Sequence, residues 1–531
     1  MPFQLWSSLF NNSRAMLKSI RLLIALAMCS LAFPCSIRSQ TTAPPSAASV
    51  LTVNSQLVTL DVVVTGADGK PVRGLKREDF FVAQDGVEQK IRDFETPAER
   101  PVAANVPALD KYGRQDWGRG VPLTIFVLDE LNTPFDEKAF SADNLRRYLL
   151  AQPALLRSPA MLATVNYTGL NTLAGYTRDR DALLHSLEKR PPALPAATTG
   201  LELAAQTFAM LRQIAMAAEG MHTHINLVWL GRGFPAMDPN DFSDPDAAVL
   251  KKAIEDTANL LLASRITLYQ VNPITVDDRM ATANLDVAMS SGMGLTSAVA
   301  STASVDMLDK VFGFDAFVVA TGGEMFYGRN DLDRFIADSD TRGRDFYTLT
   351  YVPPQGFAGT AFHAIRVVPK NPALHVTARN GFYPQDPQPV EPNLKDLGFD
   401  LKLAATGAMQ YGAVGVRILS TTRHDGKLAV KFSVEDRSLS WAPRTDGSEA
   451  TKVTVLLVSL DKSNQIETSA ATTLHVAAKN AQDTVSGHLD TEQDVKLDGK
   501  SRSVRLIVRD ESGKIGTADV DAQALAARTT R

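Results

Sequence analysis

The sequence predicts a multidomain protein in which an α/β domain, built on a doubly wound and mostly parallel sheet, is flanked by β-strand segments and followed by a β-sandwich. The chain has 531 residues, which is too many for a single hydrophobic core. Between residues 121 and 353, buried strand patterns alternate with amphipathic helix patterns, which indicates a parallel sheet covered by helices on both faces. On both sides of that region the pattern changes to short strands separated by turns.

Residues 1–39 have the pattern of a secretory signal peptide. They contain four basic residues and no acidic residue, and the apolar stretch at 22–33 (LLIALAMCSLAF) is shorter than the ~20 residues that span a bilayer. We expect cleavage after Ser39, which would leave a secreted chain in the periplasm or outside the cell. An uncleaved membrane anchor is the alternative. No later stretch is long and apolar enough to predict a membrane span in the mature chain.

Cleavage at this position would change the cysteine content and the charge of the chain. Both cysteines, Cys29 and Cys35, lie in the first 39 residues, so the mature chain would have no disulfide and no thiol chemistry. Four of the 55 basic residues would also be removed, so the formal charge changes from −4 to −8. A mildly acidic chain without a basic cluster argues against nucleic acid and against anionic membrane surfaces as partners.

A first β segment is predicted at 51–97, after a linker at 40–50 that is rich in Pro, Ala and Ser. It shows alternating apolar and polar residues and an Asp-Gly turn at 85–86. A hairpin pattern at 354–384 is equally small for a core of its own. Because the ends of a doubly wound domain usually lie close together, we expect the two segments to pack together, with two separate extensions as the alternative.

The α/β domain is predicted at 121–353, with helices that begin on acidic residues or Asp-Pro and end on glycine or basic residues. An insertion at 275–307, rich in small residues and Met, leaves the carboxyl end of a strand and is interpreted as an adaptable binding loop or a disordered loop. In chain order the predicted elements are a strand (VPLTIFVLD), a helix (EKAFSADNLRRYLLAQ), a strand (PAMLATVNYT), two helices (RDRDALLHSLEKR and TTGLELAAQTFAMLRQIAMAAEG), a strand (INLVWLG), a helix (DPDAAVLKKAIEDTANLLLAS), a strand (RITLYQVNP), two helices (DMLDKVFGFDAFVVATGG and DLDRFIADSD) and a strand (RDFYTLTYVP).

The remainder of the chain is predicted to be a linker at 385–409 and an all-β domain at 410–525. The linker prediction follows from the Pro-rich run QDPQPVEPN. The later region contains repeated strand patterns with turns between them, which predicts an immunoglobulin-like β-sandwich. These patterns are GVRILSTTR, LAVKFSVED, KVTVLLVSLD, TTLHVAA, SVRLIVRD and IGTADVD.

Six short stretches, in this order, carry a resemblance to a known family: TIFVLDELNT, GYTRDRDALLHSLEK, NLVWLGRGFP, TLYQVNP, ATGGEMF and FYTLTYVP. They resemble the von Willebrand factor type A domain, and more closely the VWFA-related domain of secreted acidobacterial-type proteins. In that family a strand-rich preface comes first, and VVVTGADGKPVRGLKREDF (62–80) is similar to it. The resemblance covers roughly 55–385 and does not extend to the C-terminal β region.

The resemblance implies a divalent-cation site of the adhesion type at the carboxyl ends of the parallel strands. The family motif is Asp-x-Ser-x-Ser, and Asp129 and Thr133 match its first and last positions. Leu131 replaces the middle ligand, and Arg232 stands where a later Asp is expected. We therefore expect a degenerate site in which Asp129 and Thr133 are vestigial and hold no metal, with Mg²⁺ or Ca²⁺ as the alternative. In this interpretation Asp129 caps the turn and pairs with Arg232.

The same end of the sheet is predicted to form a partner-binding rim. The later Thr of the family motif corresponds to Thr198 or Thr199, and the acidic run at 237–246 lacks the turn glycine of a known Ca²⁺ loop. The predicted rim residues are Asp129, Asn132, Thr133, Thr199, Arg232, Asp238 and Asp241.

The predicted function is that of a secreted, non-catalytic binding protein of the adhesion type, with a protein or a cell-surface ligand as its partner and no cofactor. No catalytic residue is predicted, because the chain has no nucleophile elbow, phosphate-binding loop, dinucleotide signature or HExxH motif. The pair His222 and His224 is interpreted as helix-end capping. The alternatives are a structural or assembly module of the cell envelope, and a hydrolase that uses rim carboxylates.

Overall fold

The structure, a computed structural model, divides the chain into two compact units, Met1–Asn54 and Ser55–Arg531. The first unit, with the predicted signal peptide, lies outside the described residues, as do Thr198, Thr199, Asp238, Asp241 and the insertion at 275–307. The described residues are 57–109, 115–118, 120–191, 200–221, 223–234, 244–274, 313–327, 330–353, 362–382, 394–407, 409–444, 448–462, 464–478 and 487–520.

The N-terminal region consists of short strands: β1 (Val58–Thr65), β2 (Phe80–Gln84), β3 (Val87–Gln89), β4 (Asp93–Glu95), β5 (Ala108–Leu109) and β6 (Gln115–Asp116). The Asp-Gly turn predicted between β2 and β3 is present. Asp85 and Gly86 have φ angles of 51° and 80°, the left-handed conformation that a tight hairpin of this kind needs.

The α/β region follows as β7 (Leu123–Asp129), α1 (Phe135–Ala151), β8 (Leu155–Asn166), β9 (Gly169–Asp179), α2 (Arg180–Glu188), α3 (Gly200–Ala218), β10 (Ile225–Leu230), α4 (Asp244–Ala263), β11 (Ile266–Val271), α5 (Phe314–Ala320), β12 (Met325–Phe326) and α6 (Leu332–Arg342). These strands form a six-stranded sheet in the order β12-β11-β10-β7-β8-β9. All neighbours are parallel except β8 and β9, which form an antiparallel edge. The fold is therefore mixed α/β.

Helices cover both faces of this sheet, because successive residues of a strand point to opposite sides. Ile125 and Val127 of β7 pack in a core with residues of α3, α4 and α5. Phe126 and Leu128 pack in a second core with residues of α1, α2 and α6. Strand β9 was not predicted. Its sequence GLNTLAGYTRD is mostly half-buried and lacks a clean alternation of apolar and polar residues.

The next strands are β13 (Tyr347–Tyr351), β14 (His363–Pro369), β15 (His375–Thr377) and β16 (Gly381–Phe382). They combine with the N-terminal strands into two four-stranded sheets, ordered β15-β1-β13-β4 and β16-β14-β2-β3. Strand β13 corrects the predicted boundary at residue 353. The sequence pattern predicts this strand in the α/β sheet, but it pairs with β1 and β4, because its inward residues join a core with strands of the N-terminal segment.

A buried joint connects this β layer to the amino ends of the central strands. The carboxylate of Asp61 in β1 accepts from His224 Nδ1 at 3.0 Å, before β10, and pairs with Arg265 Nη2 at 2.6 Å, before β11. Thr348 of β13 donates its hydroxyl to the same carboxylate at 2.8 Å. The interpretation of His224 as a helix-end cap is therefore wrong: its ring holds two layers together.

The C-terminal region contains α7 (Leu394–Thr406), β17 (Val416–His424), β18 (Lys427–Glu435), β19 (Ala442–Pro443), β20 (Glu449–Leu460), β21 (Ile466–Ala478), β22 (His488–Lys496), β23 (Ser503–Asp510) and β24 (Ile515–Asp519). One sheet has the order β17-β18-β22, and the other has the order β19-β20-β23-β24 with β21 also paired to β20. The two sheets share a core. The predicted linker at 385–409 is corrected, because it contains α7: the Pro-rich composition ends before Leu394.

Helix α7 lies between α3 and the second C-terminal sheet. Arg212 of α3 pairs with Asp400 of α7 at 3.0 Å, and the Arg505 guanidinium of β23 donates to the carbonyls of Ala404 and Gly407 at the end of α7. None of the described helices is long and apolar enough to cross a membrane.

Candidate functional site

The carboxylate of Asp129, at the end of β7, is surrounded by N–H donors. Oδ1 accepts from the backbone N–H groups of Leu131 at 3.1 Å and Asn132 at 2.9 Å, so Asp129 closes the turn as predicted. Oδ2 accepts from the indole Nε1–H of Trp229 at 3.1 Å and from the backbone N–H of Gly233 at 2.9 Å. The side-chain amide of Asn132 lies 3.3 Å from each oxygen. Both oxygens are thus occupied as acceptors.

Burial and hydrogen bonding act on Asp129 in opposite directions. The residue is 2% exposed, and this burial raises the pKa of its carboxyl, because removal from water disfavours the charged form. The hydrogen bonds from Asn132, Trp229 and Gly233 lower the same pKa and offset part of the effect. The pKa of Asp129 therefore stays above its ordinary value, although these donors reduce the rise.

Arg232 pairs with Glu137 of α1, so the expected contact between Arg232 and Asp129 is not formed. The guanidinium Nε lies 2.7 Å from Glu137 Oε2, and Nη2 contacts Oε1. The backbone N–H of Arg232 donates to Thr133 Oγ1 at 3.0 Å. The backbone of Arg232 thus faces the Asp129 turn while its side chain lies against α1. Glu137 was missed by sequence reasoning, although an acid in the first turn of a helix is a common feature.

Two glycines explain how the loop after β10 packs so closely on this turn. A Cβ on Gly231 would clash with Asp129 and Thr133, and Gly231 has a φ angle of 154°. Gly233 has a φ angle of 64°, and a Cβ there would clash with the ring of Phe314. Gln270 of β11 fixes the same loop by donating to the carbonyl of Arg232 at 2.7 Å.

The described side chains at this end of the sheet do not suit a hard divalent cation, which binds free oxygen lone pairs. The oxygens of Asp129 and the hydroxyl of Thr133 accept from N–H groups, and Leu131 is buried in the apolar core. Arg232, whose backbone N–H donates to Thr133, carries a guanidinium, which has no oxygen to offer a cation. Across the described part of the chain, no cluster of three or more His, Cys, Asp or Glu residues has a metal-binding arrangement.

Burial decides which predicted rim residues are accessible to a partner. Asp129 and Thr133 are 2% and 3% exposed, so their side chains cannot contact a binding partner directly. Asn132 and Arg232 are half-buried and reach the surface. The other predicted rim residues, Thr199, Asp238 and Asp241, lie outside the described residues.

Two exposed aromatic side chains lie at this end of the sheet, and sequence reasoning missed both. Phe135, the first residue of α1, is 76% exposed, and Tyr167, in the turn between β8 and β9, is 45% exposed. Strands β7 and β8 are parallel neighbours with Asp129 opposite Val165, so the two aromatic residues follow the carboxyl ends of adjacent strands. The available signal was an aromatic residue at a helix start and at a turn, where polar residues are usual.

The backbone that carries these side chains is held by local hydrogen bonds. In the turn after β8, Asn166 Oδ1 accepts from the backbone N–H of Thr168 at 2.9 Å and from its hydroxyl at 2.6 Å. Before α1, the chain is fixed by the Asp129 turn. Arg232 follows β10, the neighbour of β7 on its other side. Phe135, Tyr167 and Arg232, here called the contact row, therefore lie along the ends of three neighbouring strands.

The fold and the site define a mixed α/β protein with a buried, fully hydrogen-bonded acid at the end of its central sheet. No family model matches the chain, and a comparison with curated proteins finds no match.

Solved structures show only weak similarity to it. Proximal thread matrix protein 1 from the mussel byssus has a TM-score of 0.20 and 10% identity over 29% of this chain and 38% of that one. The VWA domain of SpRpn10 has a TM-score of 0.19 and 14% identity over 29% of this chain and 75% of that one. The human COPII-coat protein Sec24c has a TM-score of 0.25 and 10% identity over 50% of this chain and 44% of that one. These scores are too low to carry an argument about function.

Proposed function

We propose that this protein is a secreted, non-catalytic binding protein of the adhesion type, which contacts a protein or a cell-surface ligand through its contact row. The observation that carries the proposal is the exposure of Phe135 and Tyr167, which follow the carboxyl ends of two neighbouring strands. The sequence patterns further support an A-type class for the α/β domain, an immunoglobulin-like class for the C-terminal sandwich, and export through residues 1–39.

The chemistry of the contact row favours binding to a partner. Large aromatic side chains and arginine contribute most of the binding energy at protein interfaces. The side chain of Phe135 is not part of the hydrophobic core, and burial of its exposed ring in an apolar pocket of a partner would be favourable. Arg232 is held in one orientation by Glu137, so less side-chain entropy is lost when it contacts a ligand.

A hydrolytic function has less support, because three acidic residues at the Asp129 turn and the start of α1 are engaged. Asp129 is buried and accepts several hydrogen bonds, and Glu137 is paired with Arg232. Glu130 is buried and lies 3.4 Å from Arg190. We propose that binding requires neither catalysis nor a divalent cation, since the oxygens that a cation would need already accept from N–H groups.

Site-directed photo-crosslinking tests the proposal. A photo-reactive phenylalanine analogue is placed at Phe135, at Tyr167 or, as a control, at Phe81 of β2, which is also 45% exposed but lies in another sheet. Each variant is mixed with the cell-surface fraction of the producing organism. We expect positions 135 and 167 to yield the same adduct, and its formation to be unaffected by EDTA. Equal labelling from all three positions, or loss of the adduct in EDTA, would contradict the proposal.

The alternative function, an assembly module, is favoured by one specific observation. The C-terminal sandwich has a long edge strand, β21, whose sequence lacks the usual features that prevent strand pairing between molecules.

A further inference from the structure

Strand β21 is an unpaired sheet edge among the described residues. It is 13 residues long, and it pairs along its length with β20 on one side. On its other side no described strand is paired to it. Outside the β20 ladder, its backbone groups from Glu467 to Ala478 make no hydrogen bond to the backbone of another described residue. Free N–H and C=O groups in such a row are a template for a further strand.

The sequence of β21 carries nothing that would block such pairing. From Thr468 to Ala478 it contains no Lys, Arg, Asp, Glu, Pro or Gly. The three residues at its centre, 471–473, are exposed, and their side chains are small or β-branched. The pairing with β20 is irregular only at the start of the strand, so the edge from Ser469 onward is regular. At that start, the hydroxyl of Thr468 donates to the carbonyl of Lys496 in β22.

Other edge strands of the protein are protected in recognisable ways. Strand β9 has an irregular register at three places. Strand β17 has an irregularity in its pairing with β18 and two arginines in nine residues. Strand β22 carries four charged residues in nine, and β12 is two residues long. Charges, bulges and short length are the features by which proteins prevent edge pairing. Strand β21 differs from all four.

We propose that β21 pairs antiparallel with β21 of a second copy of this chain, so that two C-terminal sandwiches share one continuous sheet. A two-fold axis allows this pairing, because each copy presents the same edge to the other. Directly opposite residues in two paired strands have their side chains on the same face of the sheet. The two-fold axis must therefore pass at one residue of β21 and its copy, and not between two successive residues. With the axis at Thr473, Thr472 is opposite Leu474 and Ala470 is opposite Val476.

The absence of charged residues from the regular part of β21 is the reason for preferring a second copy as the partner. Two copies of a mildly acidic chain would repel each other at most surfaces, but β21 contributes no like charges across its regular part. The cross-strand pairs would include Thr with Thr, Thr with Leu and Ala with Val, and cross-strand pairs that contain β-branched residues stabilise sheets. A single pair of strands buries less surface than a standard interface, so we expect a reversible dimer in the micromolar range.

Sedimentation equilibrium of the full chain tests the pairing. We expect a concentration-dependent dimer, and Thr473→Lys should raise its dissociation constant by about tenfold or more, because two like charges would meet at the axis. The matched control is Thr422→Lys on the protected edge β17, which should leave the dimer intact. Circular dichroism verifies that both variants fold. A monomer at all concentrations, or a dimer that Thr473→Lys does not weaken, would overturn the proposal.

Cysteine crosslinking tests the register. The chain has two cysteines, so single-cysteine variants can be made after Cys29→Ser and Cys35→Ser. With a short bis-maleimide, Thr473→Cys should form a crosslinked dimer, and Ser469→Cys, which faces Ala477 of the other copy, should not. Equal crosslinking at both positions would exclude the proposed axis. Neither result depends on the contact row, so this proposal and the proposed function fail separately.

Discussion

At the residue scale, the buried carboxylate of Asp129 is surrounded by hydrogen-bond donors. The sequence motif places an acid and a hydroxyl at the end of β7. In the structure, the indole of Trp229 and the backbone of Gly233 approach the carboxylate from the neighbouring strand β10. These neutral donors supply positive partial charge to the buried carboxylate, so no other partner is needed to satisfy its oxygens.

The Asp129→Ala variant should unfold more easily than the wild type. The substitution leaves the buried N–H groups of Trp229 and Gly233 without an acceptor, at about 1–3 kcal/mol for each unsatisfied group. Chemical denaturation should therefore show a loss of several kcal/mol, against little change for the exposed control Asp136→Ala. Mg²⁺, Ca²⁺ or Mn²⁺ should not stabilise the wild type. Stabilisation by one of these ions that disappears in Asp129→Ala would show a working metal site.

At the element scale, the joint around Asp61 connects β1 to the starts of β10 and β11. Burial alone would raise the pKa of Asp61, but the charge of Arg265 and the hydrogen bond from His224 hold it well below its ordinary value. Burial lowers the pKa of His224, and the charges of Arg265 and Arg100 act in the same direction, against the opposing effect of Asp61. His224 is therefore neutral in the folded protein over a wider pH range than in the unfolded chain.

The lowered pKa of His224 predicts a pH-dependent stability. The ordinary pKa of histidine is 6.5. As the pH falls below this value, His224 is protonated in the unfolded chain but stays neutral in the folded protein, so the free energy of unfolding decreases. The His224→Asn variant, whose amide can donate to Asp61 in place of Nδ1, should lose part of this decrease. Urea denaturation at several pH values measures it, with the exposed His375→Asn as the control. Identical pH profiles for wild type and His224→Asn would rule out this role.

At the scale of the whole molecule, residues from Ser55 onward form one compact unit. The C-terminal sandwich belongs to it because one of its sheets also packs, on the side away from the sandwich core, against helices. In β20, Val455 and Leu457 point into the sandwich core. Leu456 and Val458 belong to the core that also contains residues of α7 and α3. The chain after α3 also touches the C-terminal region: a Cβ on Gly220 would lie 2.9 Å from Ala413 Cα.

Two alanine variants, at Gly220 and at Gly86, distinguish the effect of this contact on stability from the effect of backbone strain. Gly220 and Gly86 have φ angles of 85° and 80°, so alanine at either position costs about 1–2 kcal/mol in the left-handed conformation. Alanine at Gly220 also meets the backbone of Gly412 and Ala413, whereas Gly86 has open space. We expect Gly220→Ala to destabilise the protein more and to expose the C-terminal region to protease. Equal losses in denaturation midpoint and equal proteolysis would mean that the contact does not hold the region in place.

Most of the elements were predictable from the sequence, and several of their positions were not. The strands β7, β10 and β11 are continuous apolar runs, and such patterns are local. Strand β13 has an equally clear pattern, but nothing in FYTLTY states which sheet it joins. Helix α7 was hidden by the Pro-rich residues before it. At the site, the acid Asp129 and its turn were predictable, whereas Trp229 and Gly233, which donate to its Oδ2, lie about 100 positions away in the chain.

The sequence by itself determined most of the alternation of strands and helices in the α/β region and the turn at Asp129, because these depend on residue type and short-range spacing. Only the tertiary structure decided that Arg232 pairs with Glu137 and that Trp229 donates to Asp129. Those contacts depend on the packing of β7, β8, β10 and α1, since residues far apart in the chain become neighbours only when the strands are paired.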